Sequence, residues 1–182
     1  MRLTVYTDYS LRVLIYLALA WRSGRLATIP EIAAAYGISR HHLMKIVHDL
    51  GRAGFVQTVQ GRGGGLRLAR APEQIHVGAV VRQAEPDFGL VECHREGEHT
   101  QCVVWPVCRL EAGFHRALEA FMRELDAISL ADAVRPASTA RTLLQLPSGA
   151  RRVIPVLPAA AVPAKPPRER KRRANAPRPA TA

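Results

Sequence analysis

The run SRHHLMKIVHDLGRAGFVQTVQGRGGGLRL, residues 39–68, decides the fold. Ser39 stands at an N-cap position, and Leu43, Ile46, Val47 and Leu50 recur three or four apart, which predicts a helix with one apolar stripe. Arg40, His41, His42, Lys45 and His48 lie largely off that stripe, so the remaining surface is polar and basic. After Gly54 the stretch Phe55 to Gln60 is β-like, Gly61-Arg62-Gly63-Gly64-Gly65 reads as a turn, and Leu66-Arg67-Leu68 returns as the partner strand.

Working outward toward the N-terminus, Leu11, Leu14, Ile15, Ala18 and Leu19 predict a first helix, capped at Thr7 and ended by Ser23-Gly24. Thr28 caps a short second helix, Pro30 to Ala35, in which Pro30 sits in the first turn where its missing N–H costs nothing, and Gly37 breaks it. Three helices followed by a hairpin give a mainly α fold, a winged helix-turn-helix with a β-hairpin wing.

Toward the C-terminus, a fourth helix is expected around Val77 to Ala84, between Pro72 and Pro86, followed by a cysteine-bearing loop. From about Arg109, Leu110, Phe114, Leu118, Phe121, Leu125 and Ile128 predict a long amphipathic helix. No later core element is in view to cover its stripe, which points to a partner subunit and a dimerisation role. Beyond Pro136 the chain is rich in Ala, Pro and Arg, with a weak helical stretch at Thr139 to Leu146 and disorder expected past Pro147. The expected organisation is a winged-helix domain at 1–72, a cysteine-bearing loop and dimerisation helix at 73–132, and a basic tail at 133–182.

At 182 residues the chain has room for one cored domain plus appendages. Its formal charge of +11 is misleading as a footprint of the fold. Residues 133–182 hold eleven Lys or Arg and one acid, leaving 15 basic and 14 acidic residues for 1–132. Any case for nucleic acid at the body therefore rests on pattern. No apolar run approaches the ~20 residues that span a bilayer, and the expectation is a soluble cytoplasmic protein.

In a helix-turn-helix the second helix of the pair lies in the major groove and its first-turn side chains reach base edges. Those side chains are Ser39, Arg40, His41, His42 and Lys45, and Arg is the best bidentate partner of guanine. Thr28, opening the helix before, joins the DNA-facing set. Arg62, set among glycines, is one long cation able to enter a minor groove, while Gly63 and Gly64 let backbone approach phosphates. The plain alternatives are a solvated helix face and a flexible hairpin turn; the wing following a recognition-type helix favours double-stranded DNA.

Cys93, Cys102 and Cys108 form C-x8-C-x5-C before the long helix. An odd set without a secretory signal argues against disulfide staples. Soft thiolates suit zinc or an iron–sulfur cluster. Buried free thiols, a disulfide with one spare, and structural zinc completed by His94, His99 or His115 remain open on spacing alone. No nucleophile–base pattern, phosphate loop or second metal motif points to an enzyme.

The opening Met1-Arg2-Leu3-Thr4 with Thr7-Asp8-Tyr9-Ser10-Leu11-Arg12, the 39–68 run, and the cysteine triplet ending in CRL together resemble the bacterial iron–sulfur winged-helix repressors, and within them the NsrR-like group. The resemblance covers about residues 1–132. It implies a homodimer on a partly palindromic operator and a cluster on Cys93, Cys102 and Cys108, with nitric oxide as the signal. It also implies a carboxylate near the start of helix one, reaching from the other subunit to complete a [4Fe–4S] cluster; Asp8 occupies that position. Asp8 read by itself is a first-turn acid paired with Arg12 at i, i+4. In IscR-like relatives a histidine three residues after the last cysteine binds a [2Fe–2S] cluster, and here that position is Glu111. The first cysteine gap is longer than in several relatives. The other function in view is sensing of iron supply or redox state through a [2Fe–2S] cluster or the thiols. The tail run Arg168 to Arg173 reads as a solvated extension adding non-specific attraction to DNA.

Overall fold

The computed structural model describes residues 2–94 and 102–146. In chain order it holds α1 (Val5–Trp21), α2 (Ile29–Tyr36), α3 (Arg40–Arg52), β1 (Val56–Val59), β2 (Gly65–Leu68), α4 (Val77–Ala84), α5 (Arg109–Ala127), α6 (Leu130–Ala133) and α7 (Ala137–Leu143). The two strands are antiparallel, with Val56 opposite Leu68 and Val59 opposite Gly65. This is the expected mainly helical architecture with a hairpin wing.

α1 starts earlier than expected. Thr4 is its N-cap, accepting a hydrogen bond from the Thr7 backbone N–H, and Thr7 itself is fully buried inside the helix. The helix is also buried more widely than one stripe: Val13, Leu14, Tyr16, Leu17, Ala18, Leu19 and Ala20 are all in the core. The reason is its central place, since α2, α3, α4, α6, α7 and β2 all pack on it. Its first turn is tied to the end of α4, where the Thr4 N–H and hydroxyl both donate to Glu85 Oε1, at 2.8 and 3.1 Å.

α2 carries the anticipated cap. The Thr28 hydroxyl accepts from Glu31 N–H while the Glu31 carboxylate accepts from Thr28 N–H, and Gly37 closes the helix at φ 65°. α3 buries the predicted Leu43, Ile46, Val47 and Leu50. Ser39 stands at its N-cap position but makes no side-chain cap bond, contrary to expectation.

The hairpin is not free-standing. Ala27 pairs with Leu66 through two backbone hydrogen bonds, so the α1–α2 connection adds a one-residue third strand at the base of the wing. In the five-residue turn, Gly61 and Gly63 have φ of 98° and 81°, and a Cβ on Gly64 would lie 2.2 Å from the Val59 carbonyl oxygen. The glycines thus serve the turn itself.

One core runs through both expected parts of the body: Ile75, Val80 and Leu130 share it with α1 and α3. Packing also continues past residue 132, the expected start of the tail. Ser129 caps α6 through a reciprocal pair with Asp132, Val134 and Leu146 are buried, and the Arg141 guanidinium on α7 donates to the Leu19 carbonyl. The weak stretch at 139–146 is therefore part of the packed body. Residues 147–182, and the disorder expected there, lie outside the described residues, as does His99.

α5 docks on the body through its C-terminal half. Arg82 of α4 makes two 2.6 Å bonds to the Asp126 carboxylate, and Met122 is buried. Its N-terminal half leaves Leu110 and Phe114 exposed.

Candidate nucleic-acid interface and cysteine segment

The side chains expected to read DNA are grouped at the start of α3 and at the wing. Ser39, Arg40, His41, His42 and Lys45 are exposed along the first two turns of α3, carried there because the helical period that buries Leu43 and Ile46 turns them outward. His41 and His42 are near neighbours, with ring centroids 6.4 Å apart. At the wing tip Arg62 and Gly63 are exposed and Gly64 is half-buried. Thr28 is half-buried at the α2 N-terminus, its hydroxyl engaged in the cap.

A second layer, invisible to motif reading, supports this face. Tyr6 donates its hydroxyl to Asp49 of α3 at 2.7 Å; burial first, and then this bond, push its ionisation up. Tyr9 lies against His42 with centroids 6.4 Å apart. Arg12 bonds Asp8 at 2.9 Å and lies 5.8 Å over the Tyr36 ring of α2. The hydrogen bond to Asp8 raises the Arg12 ionisation, and burial pushes Tyr36 up to about 12 against the pull of Arg12. Arg25 is buried, pairs with Glu31 at 2.6 Å, and keeps Nη1 without a hydrogen-bond partner. No local pattern in the sequence marks Arg25 as an interior residue.

The cysteines lie on the segment that leads into α5. Cys93 is half-buried in a short 3-10 turn, Glu92–His94; Cys102 is exposed; Cys108 is half-buried and stands at the N-cap position of α5. All three are free thiols. Around them Val103, Val104, Val107 and Leu110 are exposed apolar side chains. His94 stacks edge-on against Phe114, with Nε2 3.4 Å from the Glu111 carbonyl oxygen. Asp8 is exposed on α1, bonded to Arg12, and His115 pairs with Glu119 at 3.5 Å. Among the described residues no three His, Cys, Asp or Glu side chains gather about one point. Three free thiols on one short segment nonetheless have the donor chemistry that cluster iron takes.

The sequence model of Rrf2, described as an iron-dependent transcriptional regulator, matches residues 3–136. The chain belongs to the Rrf2 family. Among Rrf2-type relatives, the HTH-type transcriptional regulator NsrR of Geobacillus kaustophilus is 49% identical over 145 residues, which is 80% of this chain and 97% of that protein. NsrR of Bacillus subtilis is 48% identical over 146 residues, 80% and 99% of the two chains. The solved structure of T. potens IscR superposes with a TM-score of 0.61 at 24% identity, over 82% of this chain and 94% of that one, which supports the shared fold. The Rrf2 assignment makes this an NsrR-like transcriptional regulator and not an enzyme. No helix among the described residues is long and apolar enough to cross a membrane.

Proposed function

We propose that this protein is a cytoplasmic, homodimeric repressor that binds a partly palindromic DNA operator, holds an iron–sulfur cluster on Cys93, Cys102 and Cys108, and releases the operator in response to nitric oxide. The observation that carries this reading is three free thiols on the segment opening α5, in a chain nearly half identical to regulators named NsrR. We take the cluster as [4Fe–4S], with Asp8 of a second copy as the fourth donor; Glu111, not histidine, follows the last cysteine by three. When bound, such a group supplies thiolate-held iron that a small diatomic molecule can reach.

The protein's own residues divide the remaining work. The three cysteines anchor as thiolates, and the exposed Val103, Val104 and Val107 give them an apolar surround once covered. Asp8 must exchange Arg12 for its new partner, which leaves Arg12 on Tyr36 and so bears on α2 of the reading pair. Arg40 reads a guanine edge, with Ser39, His41, His42 and Lys45 beside it, while Arg62 enters the minor groove and Gly63, Gly64 and Thr28 lie along phosphates. The exposed Leu110 and Phe114 face of α5 meets the second copy. Since a dimer must match half-sites about 34 Å apart, a modest change in the separation of two reading helices weakens binding.

The test is an anaerobic visible spectrum of the purified protein, repeated during nitric oxide titration with operator binding followed in parallel. Loss of the cluster absorption together with loss of binding supports the proposal. Colourless protein with stoichiometric zinc overturns it. The family's description as iron-dependent favours a second reading, sensing of iron supply; operator release on iron limitation, with no response to nitric oxide, selects that one.

A further inference from the structure

We infer that the DNA-reading face takes up protons as it binds, with the His41–His42 pair as the acceptor, so that a proton acts with DNA as a co-ligand. This inference rests on α3 being the reading helix. Both imidazoles are exposed on its first turn, adjacent in sequence and 6.4 Å apart between centroids. Histidine is the side chain whose charge ordinarily changes between about pH 5 and 8.

Among the described residues, the elements packed around the pair supply little counter-charge for two imidazolium ions. On α3 itself the neighbours Arg40 and Lys45 are cationic, and His48 follows one turn on. The packed elements contribute three carboxylates, and each already has another partner: Asp8 on α1 holds Arg12, Glu31 on α2 holds Arg25, and Asp49 on α3 accepts from Tyr6 of α1. Tyr9 from α1 meets His42 with its ring, and Tyr36 of α2 lies under Arg12. β1, packed on the other end of α3, offers Val56, Gln57, Thr58 and Val59, none of them titratable. Negative charge therefore arrives at this pair with the DNA phosphates.

The sign follows. Phosphates favour the imidazolium form, so the complex binds more protons than its separated parts, and affinity rises as pH falls. The protonated ring also gains a second N–H donor, which a phosphate oxygen or a single base acceptor can take. Each proton taken up steepens the response by at most about tenfold in affinity per pH unit.

The experiment uses the full-length, cluster-loaded protein and a duplex selected by that protein from a random-sequence pool. Its dissociation constant is measured between about pH 6 and 8 at fixed ionic strength, for the parent, His41→Gln/His42→Gln, His42→Lys and His48→Gln. The parent should tighten about three- to tenfold per pH unit. The double variant should lose that slope, His42→Lys should flatten part of it at the tight-binding end, and His48→Gln should keep it. Equal slopes in parent and double variant, or loss of the slope in His48→Gln, overturn the inference. The underlying assignment fails separately: if Arg40→Ala footprints the duplex as the parent does, α3 is not the reading helix.

Discussion

Asp8 concentrates the contrast between two roles at one residue. In the structure it is a first-turn acid, half exposed, bonded to Arg12 one turn on. If that is all it does, Asp8→Ala should lower stability by about 0.3 to 1 kcal/mol through the helix dipole and the i, i+4 pair, and leave any bound cluster unchanged. If its carboxylate completes the cluster of a second copy, the variant should keep colour through three thiolates yet show a changed anaerobic spectrum and a changed nitric oxide titration at matched loading. Superimposable curves remove Asp8 from the site. Arg40 offers the complementary test on DNA, where Arg40→Ala should cost about 1 to 3 kcal/mol against the preferred duplex and much less against a mixed sequence. The cluster role of Asp8 was implied only by resemblance, but the exposure of these two residues was legible from position, because helical periodicity decides which side chains leave the core. The supporting layer was not: the Tyr6–Asp49 and Tyr9–His42 contacts join residues 43 and 33 apart in sequence, and no local pattern encodes them.

The α4–α5 contact shows what one missing side chain permits. Gly78 is buried in α4, and a Cβ there would lie 2.0 Å from Asp126 Oδ1 and 3.0 Å from its backbone nitrogen. Gly78→Ala should therefore push α5 off α4 and cost about 1 to 3 kcal/mol, read as a shift in the urea midpoint at unchanged slope. The same contact carries a pH dependence. Hydrogen bonds from Arg82 hold the Asp126 carboxyl below the usual carboxylate range. A depressed acid contributes stability that is present above its unfolded value and lost as pH falls through the folded one, so Arg82→Gln should be less stable than the parent at neutral pH and indistinguishable from it once Asp126 is protonated in both. Both groups are exposed, so the difference should be small. α1 starts before its expected cap and α6 is too short to print a period, but α2 to α5 were legible, α4 to the residue, since proline and glycine punctuate the chain there. Element partners were less so. The Ala27–Leu66 pairing that ties the wing to the α1–α2 connection involves a single residue, too short to print an alternating pattern.

At the scale of the whole chain, composition alone places the end of the packed body too early, because Ala- and Arg-rich sequence reads as tail while Leu146 is buried in the core. The matched relatives agree with the packing: alignments of 145 and 146 residues account for nearly all of each relative but only 80% of this chain. Residues 147–182 then carry nine Lys or Arg against one Glu, most of the net charge of +11. Two truncations separate the body from this extension. Ending the chain after Arg135 removes α7 with its Arg141 bond to Leu19 and the buried Leu146, and should lower stability by about 2 kcal/mol or more, from the loss of one buried leucine alone. Ending it after Leu146 should leave the melting temperature and the operator footprint as in the parent, because every buried residue among the described ones is kept. Its effect should appear in salt dependence. Each phosphate neutralised contributes a slope of about −0.9 to log affinity against log salt, so the shortened protein should bind a mixed-sequence duplex more weakly at low salt and with a visibly flatter slope. Identical slopes for full-length and shortened protein would mean that the extension's charge does not touch DNA, and that the reading helix and wing supply all the phosphate contacts.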